Sequence, residues 1–263
     1  MPEIATPYAP GSPCGVYLVP DDQPATLDFY RDLLGWKGDP GDPGDHVICE
    51  LNGKAVALIG SAKFHDKKGM PTPRNRWLPL LTSTDAEATA RAIRKAGGRR
   101  VTAVENVGKL GKLLVADDGL GAQFGVWQPG EFSGAQVTHE TGAVNWIELY
   151  TSNMEVAMPF YREVFGFEYD SRDHTIRLGD REIGGVNEVG RAGFYGRPPY
   201  WLPYFQVDDV NSSKDNLGRL GGGLVYQGGA KVNGSNTWRV VAQDPVRAPF
   251  ALTSPSTSAS AAT

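Results

Sequence analysis

The chain has 263 residues, a formal net charge of -4 and 40% hydrophobic residues, enough for one large core or two domains of ordinary size. No apolar run reaches the roughly 18 to 20 residues of a membrane span, and the N-terminal MPEIATPYAPGSPCG has neither a basic start nor an apolar signal core, so a cytoplasmic protein with no membrane partner is expected. The acidic balance and the lack of a basic stripe argue against nucleic acid as a partner, and Cys14 and Cys49 are too few for a disulfide framework.

In chain order, VYLV (16 to 19) alternates into PDD, where Asp22 can cap a helix with Pro24 in its first turn and Gly35 as its stop. Leu27, Tyr30 and Leu34, three or four apart, give that helix one apolar stripe. HVICEL (46 to 51) and KAVALIG (54 to 60) read as strands joined by an NG turn. GDPGDPGD (38 to 45) reads as a turn-rich loop, and GEFSGAQVTHETG (130 to 142) is polar enough to be a linker.

The chain repeats itself. DFYRDLLGW (28 to 36) aligns with PFYREVFGF (159 to 167) at an offset of 131 residues, and the same offset carries GVYLVPDD (15 to 22) onto WIELYTSN (146 to 153). Asn153 is then the second cap, Gly166 its stop, and Met158, Tyr161 and Phe165 the second stripe. WLPLLTSTDA (77 to 86) matches WLPYFQVDDV (201 to 210) at an offset of 124, as IRKAGGRRV (93 to 101) matches LGRLGGGLV (217 to 225). The closing strands LLVADDGLGAQFGVW (113 to 127) and RVVAQDPVRAPFALT (239 to 253) correspond, with Asp118 and Asp244 at the turn. The result is an α+β chain of four βαβββ modules. They divide it into an N-terminal extension (1 to 11), a first paired-module domain (12 to 129), the linker (130 to 142), a second paired-module domain (143 to 254) and a tail (255 to 263) whose composition predicts disorder.

With FYRDLLGW and FYREVFGF at the helix ends and GAQFGVWQP closing the first half, the chain resembles a tandem member of the vicinal oxygen chelate superfamily, the glyoxalase and bleomycin-resistance fold, over residues 12 to 253. The resemblance implies two glyoxalase-like domains with curved mixed sheets around clefts. It spans metal lyases, ring-cleaving dioxygenases, drug-binding resistance proteins and tailoring proteins of antibiotic biosynthesis, so fold alone does not choose a function. Metal-dependent members carry a His or Glu on a module's first strand and a Glu on a closing strand. Those positions fall on Gly15 and Trp146, on Trp77 or Leu78 and Trp201 or Leu202, and on Gly125 and Ala251. None is a donor for a divalent ion. His46, His65, His139 and His174 share no short spacing, so neither a metal nor another cofactor is expected.

Strand alternation places Ile147 and Leu149 toward the helix and Trp146, Glu148 and Tyr150 toward the cleft; the first half offers Gly15, Tyr17 and Val19 there, a roomier surface. AGFYGRPPYWLPYF (192 to 205) adds Phe194, Tyr195, Trp201 and Tyr204 as aromatic walls for a flat hydrophobic ligand. A carboxylate among aromatics is suited to acid or base catalysis, which makes Glu148 the first catalytic candidate, with Tyr150 and His174 orienting and Arg177 holding a ligand carbonyl or phenolate. Alternatively, Glu148 is a structural carboxylate paired with Arg177 or Arg239. Two functions survive: a cofactor-independent tailoring enzyme acting on a hydrophobic, aromatic, polyketide-like metabolite, or a protein that sequesters such a molecule without chemistry. Four modules can pair internally, so a monomer or a homodimer is compatible.

Overall fold

The computed structural model describes residues 8–38, 46–62, 73–189, 198–232 and 234–255. Its elements run β1 (Pro13–Leu18), α1 (Gln23–Leu34), β2 (Val47–Leu51), β3 (Lys54–Ile59), β4 (Trp77–Thr82), α2 (Ala86–Lys95), β5 (Arg99–Arg100), β6 (Glu105–Val107), β7 (Gly111–Asp117) and β8 (Gln123–Pro129) in the first half. The second half has β9 (Val144–Thr151), α3 (Met154–Phe165), β10 (Glu168–Asp170), β11 (Thr175–Leu178), β12 (Arg181–Glu188), β13 (Tyr200–Gln206), α4 (Val210–Asn216), β14 (Gly223–Val232), β15 (Ser235–Gln243) and β16 (Pro249–Thr253). Among the described residues no helix is long and apolar enough to cross a membrane.

Local chemistry sets the helix ends. The Asp22 carboxylate accepts from Ala25 N and the Asn153 side-chain amide oxygen from Val156 N, while Gly35 and Gly166 close their helices at φ 76° and 75°, a left-handed conformation that costs glycine no Cβ clash. Each half forms one mixed eight-stranded sheet, ordered β2-β3-β1-β4-β8-β7-β5 with β6 on β7, and β10-β11-β12-β9-β13-β16-β15-β14. The central antiparallel pairs correspond, with Val16 opposite Pro79 and Ile147 opposite Pro203.

The apolar cores do not respect the halves. Phe29, Tyr30 and Leu34 of α1 pack with Phe205, Val240, Phe250 and Leu252 of the second half. Reciprocally, Phe160, Tyr161 and Phe165 of α3 pack with Ile93, Leu114 and Phe124 of the first. At the centre of each core lies the same relay. Trp77 Nε1 donates to Tyr30 OH at 2.8 Å, and Tyr30 OH to Asp244 Oδ2 at 3.1 Å. Trp201 Nε1 donates to Tyr161 OH at 2.9 Å, and Tyr161 OH to Asp118 Oδ2 at 3.4 Å. The other carboxyl oxygen of each aspartate ties its own turn, accepting from Leu120, Gly121 and Ala122 N in one case and from Ala248 N in the other. Desolvation outweighs these backbone bonds and pushes both carboxyls up to about 6.

The cleft side of the first sheet is filled by the chain itself. Tyr8 and Phe132 pack there with Tyr17, Leu58, Leu80 and Trp127, and Trp127 Nε1 donates to Phe132 O at 2.9 Å. Farther along, Ala135 N donates to Cys14 O and Gln136 N to Ala55 O, each at 2.7 Å. The polar segment after β8 is therefore more than a linker: it adds backbone pairing to β1 and β3. Tyr17, expected to face a ligand in a roomy cleft, is fully buried, with its hydroxyl 2.9 Å from His46 Nε2.

Two outcomes follow from this packing. In the unfolded chain Asp118 and Asp244 ionise near pH 4 and in the folded chain near 6. Their stabilising contribution is therefore complete below pH 4 and is lost as pH rises through 6, on the order of 3 kcal/mol apiece. Urea unfolding from pH 4 to 8 should show Asp244→Asn gaining stability relative to the parent chain as pH rises; parallel curves would contradict the assignment. Phe132→Ala should cost about 3 kcal/mol by emptying the first cleft, read as a lowered unfolding midpoint, and an unchanged midpoint would show the plug to be dispensable.

Candidate functional site

The second sheet keeps its polar chemistry on the cleft face. Along β9, Ile147 and Leu149 enter the helix-side core, whereas Trp146 and Tyr150 join Tyr200, Leu202, Tyr204, Val241 and Ala251 on the opposite side. The register with β13 sets this: Trp146 faces Tyr204, Glu148 faces Leu202 and Tyr150 faces Tyr200, and directly paired residues share a sheet face. The Tyr150 and Tyr200 rings stack at 5.2 Å.

Glu148 is only 4% exposed, and a carboxylate so buried needs a compensating charge. Arg239 of β15 supplies it, with Nη1 2.8 Å from Glu148 Oε2. The same Oε2 accepts from Tyr150 OH at 2.6 Å and from Tyr204 OH. Arg239 Nη1 also donates to both tyrosine oxygens, at 2.7 Å in the case of Tyr150. Its guanidinium carbon lies 5.8 Å from the centroids of Tyr204 and of the partly exposed Tyr226. Burial first, and the Glu148 charge second, raise Tyr150 and Tyr204 well above the ordinary phenol value, so both act as neutral donors. Every bond to the carboxylate lands on Oε2; Oε1 takes none from the described residues.

The other sequence candidates divide. Tyr150, Trp146 and Tyr204 stand with Glu148. Trp201 does not: it pairs with Leu149 rather than Glu148, so its indole points into the helix-side core and donates to Tyr161. His174 occupies an exposed left-handed turn at φ 59° before β11, where its Nδ1 lies 2.9 Å from Tyr169 OH. Tyr169 packs on the helix-side core, which turns the imidazole away from the carboxylate. Arg177 pairs with Glu182 at 2.5 Å, leaving Arg239 as the partner of Glu148. Phe194 and Tyr195 lie outside the described residues. Tyr200 and Arg239 complete the cluster; the alternation of Arg239 with the core residues Val240 and Ala242 is the sequence signal for its face.

The positions where metal-dependent relatives hold an ion do not fit one here. Gly15, Trp146, Gly125 and Ala251 offer no donor side chain, Trp77 and Trp201 spend their N–H groups on tyrosines, and Glu148 Oε2 is saturated by Arg239 and two hydroxyls. Among the described residues no three His, Cys, Asp or Glu side chains come together as a metal site.

No family model matches the chain. Individual proteins do. CFP32 of Mycobacterium tuberculosis, named as a candidate glyoxylase, is 31% identical over 231 residues, covering 84% of this chain and 86% of that protein. The anthracycline biosynthesis protein DnrV of Streptomyces peucetius is 31% identical over 240 residues, covering 83% and 85%. Among solved structures, the Mn(II)-bound glyoxalase from Novosphingobium aromaticivorans superposes with a TM-score of 0.59 at 16% identity, covering 93% of this chain and 82% of that one. A 2,2',3-trihydroxybiphenyl 1,2-dioxygenase from Sphingomonas wittichii does so with a TM-score of 0.60 at 12% identity, covering 94% and 91%. Two mixed eight-stranded sheets built from four repeats of a strand, a helix and further strands, together with relatives matched over most of their length at this identity, establish that the chain belongs to the vicinal oxygen chelate superfamily of glyoxalases and dioxygenases, in the family that includes CFP32 and DnrV.

Proposed function

We propose that the chain binds a hydrophobic, aromatic, polyketide-like small molecule on the cleft face of the second sheet and tailors it by proton transfer, with Glu148 as the base. The observation that carries this reading is the asymmetry of the Glu148 carboxylate. One oxygen is held by Arg239, Tyr150 and Tyr204, which orients the group, and the other is left to a ligand. Burial among Trp146, Tyr200 and Tyr204 strengthens any electrostatic contact formed there. Stacked and edge-on rings suit a flat aromatic substrate, and the kinship with anthracycline biosynthesis proteins supports that class. Trp146 also borders a cavity of about 100 Å³ between the halves, shared with Tyr8, Gly15 and Ile183. Arg239 stays cationic and holds the carboxylate through Oε2. Tyr150 positions it from the adjacent row of β9. No step is routed through a metal.

Glu148→Gln keeps the shape and removes the charge. With a panel of anthraquinones and anthracyclinones followed by mass spectrometry, turnover should fall roughly 10² to 10⁴-fold while affinity changes far less. Unchanged turnover would remove Glu148 from the chemistry, and binding without product in the parent chain would replace catalysis by sequestration. Stranding Arg239 should also cost about 3 to 5 kcal/mol of stability. The double variant Glu148→Gln/Arg239→Gln should recover most of that stability and none of the turnover, measured by urea unfolding beside the activity assay.

A further inference from the structure

Gly185 of β12 stands opposite Glu148, and the side chains of Trp146 and Glu148 close on it. A Cβ at this position would lie 3.2 Å from Trp146 Nε1, 3.3 Å from Glu148 Cγ and 3.5 Å from Glu148 Oε1. Trp146 is 5% exposed, and its Nε1 is buried with no hydrogen-bond partner. A buried N–H without an acceptor is rare in folded chains and marks a place where a partner is missing. Glu148 Oε1 accepts from none of the described residues.

The glycine is not demanded by the backbone. At the neighbouring Gly184 a Cβ would strike Ile147 O at 2.7 Å, whereas at Gly185 the nearest atoms belong only to the Trp146 and Glu148 side chains. The equivalent position in the first half, set by Tyr17 facing Leu58 as Glu148 faces Gly185, carries a leucine that helps fill the first cleft. The second half has a glycine there, with the Trp146 and Glu148 side chains closing on it.

One N–H donor and one carboxylate acceptor converging on one corner match a hydroxyl, whose oxygen accepts from Trp146 while its hydrogen donates to Glu148. A carbonyl or an ether would satisfy Trp146 and set a lone pair against the carboxylate; an ammonium would satisfy Glu148 and leave Trp146 unmatched. We infer that the corner formed by Trp146, Glu148 and Gly185 is a subsite for a hydroxyl group, phenolic in an aromatic ligand, and that it decides which ring substituent enters beside the base. This rests on the reading of the second cleft as the ligand site, and it makes the ligand's own hydroxyl proton the one presented to Glu148.

The test uses the full chain and a matched pair of probes, 2-hydroxyanthraquinone and 2-methoxyanthraquinone, titrated by quenching of tryptophan fluorescence and confirmed by calorimetry. The hydroxyl compound should bind at least tenfold tighter than its methyl ether. Trp146→Phe, which keeps a ring and removes the N–H, and Gly185→Ala, which puts a methyl in the corner, should each shrink that preference to threefold or less. Equal binding of both probes to the parent chain, or a preference that survives both substitutions, overturns the subsite while leaving the cleft as a ligand site. Binding of neither probe overturns the cleft reading and the subsite with it. Thermal unfolding checks both variants, and if Gly185→Ala does not fold the test stands on Trp146→Phe.

Discussion

The two Trp–Tyr–Asp relays hold the molecule together. Each brings an indole, a phenol and a carboxyl from three different modules to one point: Trp77, Tyr30 and Asp244, and again Trp201, Tyr161 and Asp118. A phenol buried between two helical layers must find both an acceptor and a donor, and in this fold both come from elsewhere in the chain. Helix α1 can satisfy Tyr30 only if the second half is in place, and α3 can satisfy Tyr161 only if the first is. The halves are thus two glyoxalase-like domains, each with its own sheet, that share two cores.

That cross-bracing leaves the opposite sheet faces to diverge. On the first, Phe132 and Tyr8 occupy the concavity and Leu58 takes up what remains. On the second, small residues at Gly185 and Ala251 lie among Trp146, Tyr150, Tyr200 and Tyr204, and a charged pair is carried at the centre. Burying Glu148 and Arg239 brings no evident gain in stability over an apolar pair of similar volume. Donors gather on one carboxylate oxygen, with none on the other among the described residues, and the proposed ligand site rests on that asymmetry.

The site was legible in proportion to how local its determinants are. Period-two alternation in VNWIELYT assigned Trp146, Glu148 and Tyr150 to one face and Ile147 and Leu149 to the other, and the packing agrees. The same alternation in YWLPYFQ says only that Trp201 and Leu202 face opposite ways. Which of them meets the cleft depends on the register against β9, where Trp201 lies opposite Leu149, and no local pattern contains that. His174, expected to orient a ligand beside Glu148, stands in a left-handed turn just before β11 with its ring on the hydroxyl of Tyr169.

By itself the sequence determined the repeat, the caps at Asp22 and Asn153 and the α+β order of the elements. Each of these is written in spacing or in residue type at a single position. Tertiary structure decided that α1 and α3 pack across the halves, that the segment after β8 plugs the first cleft, and that Arg239, 91 residues from Glu148, is the charge that compensates it. Contacts at such separation are chosen by which buried polar groups can all be paired at once, a condition on the whole fold that no window of sequence expresses.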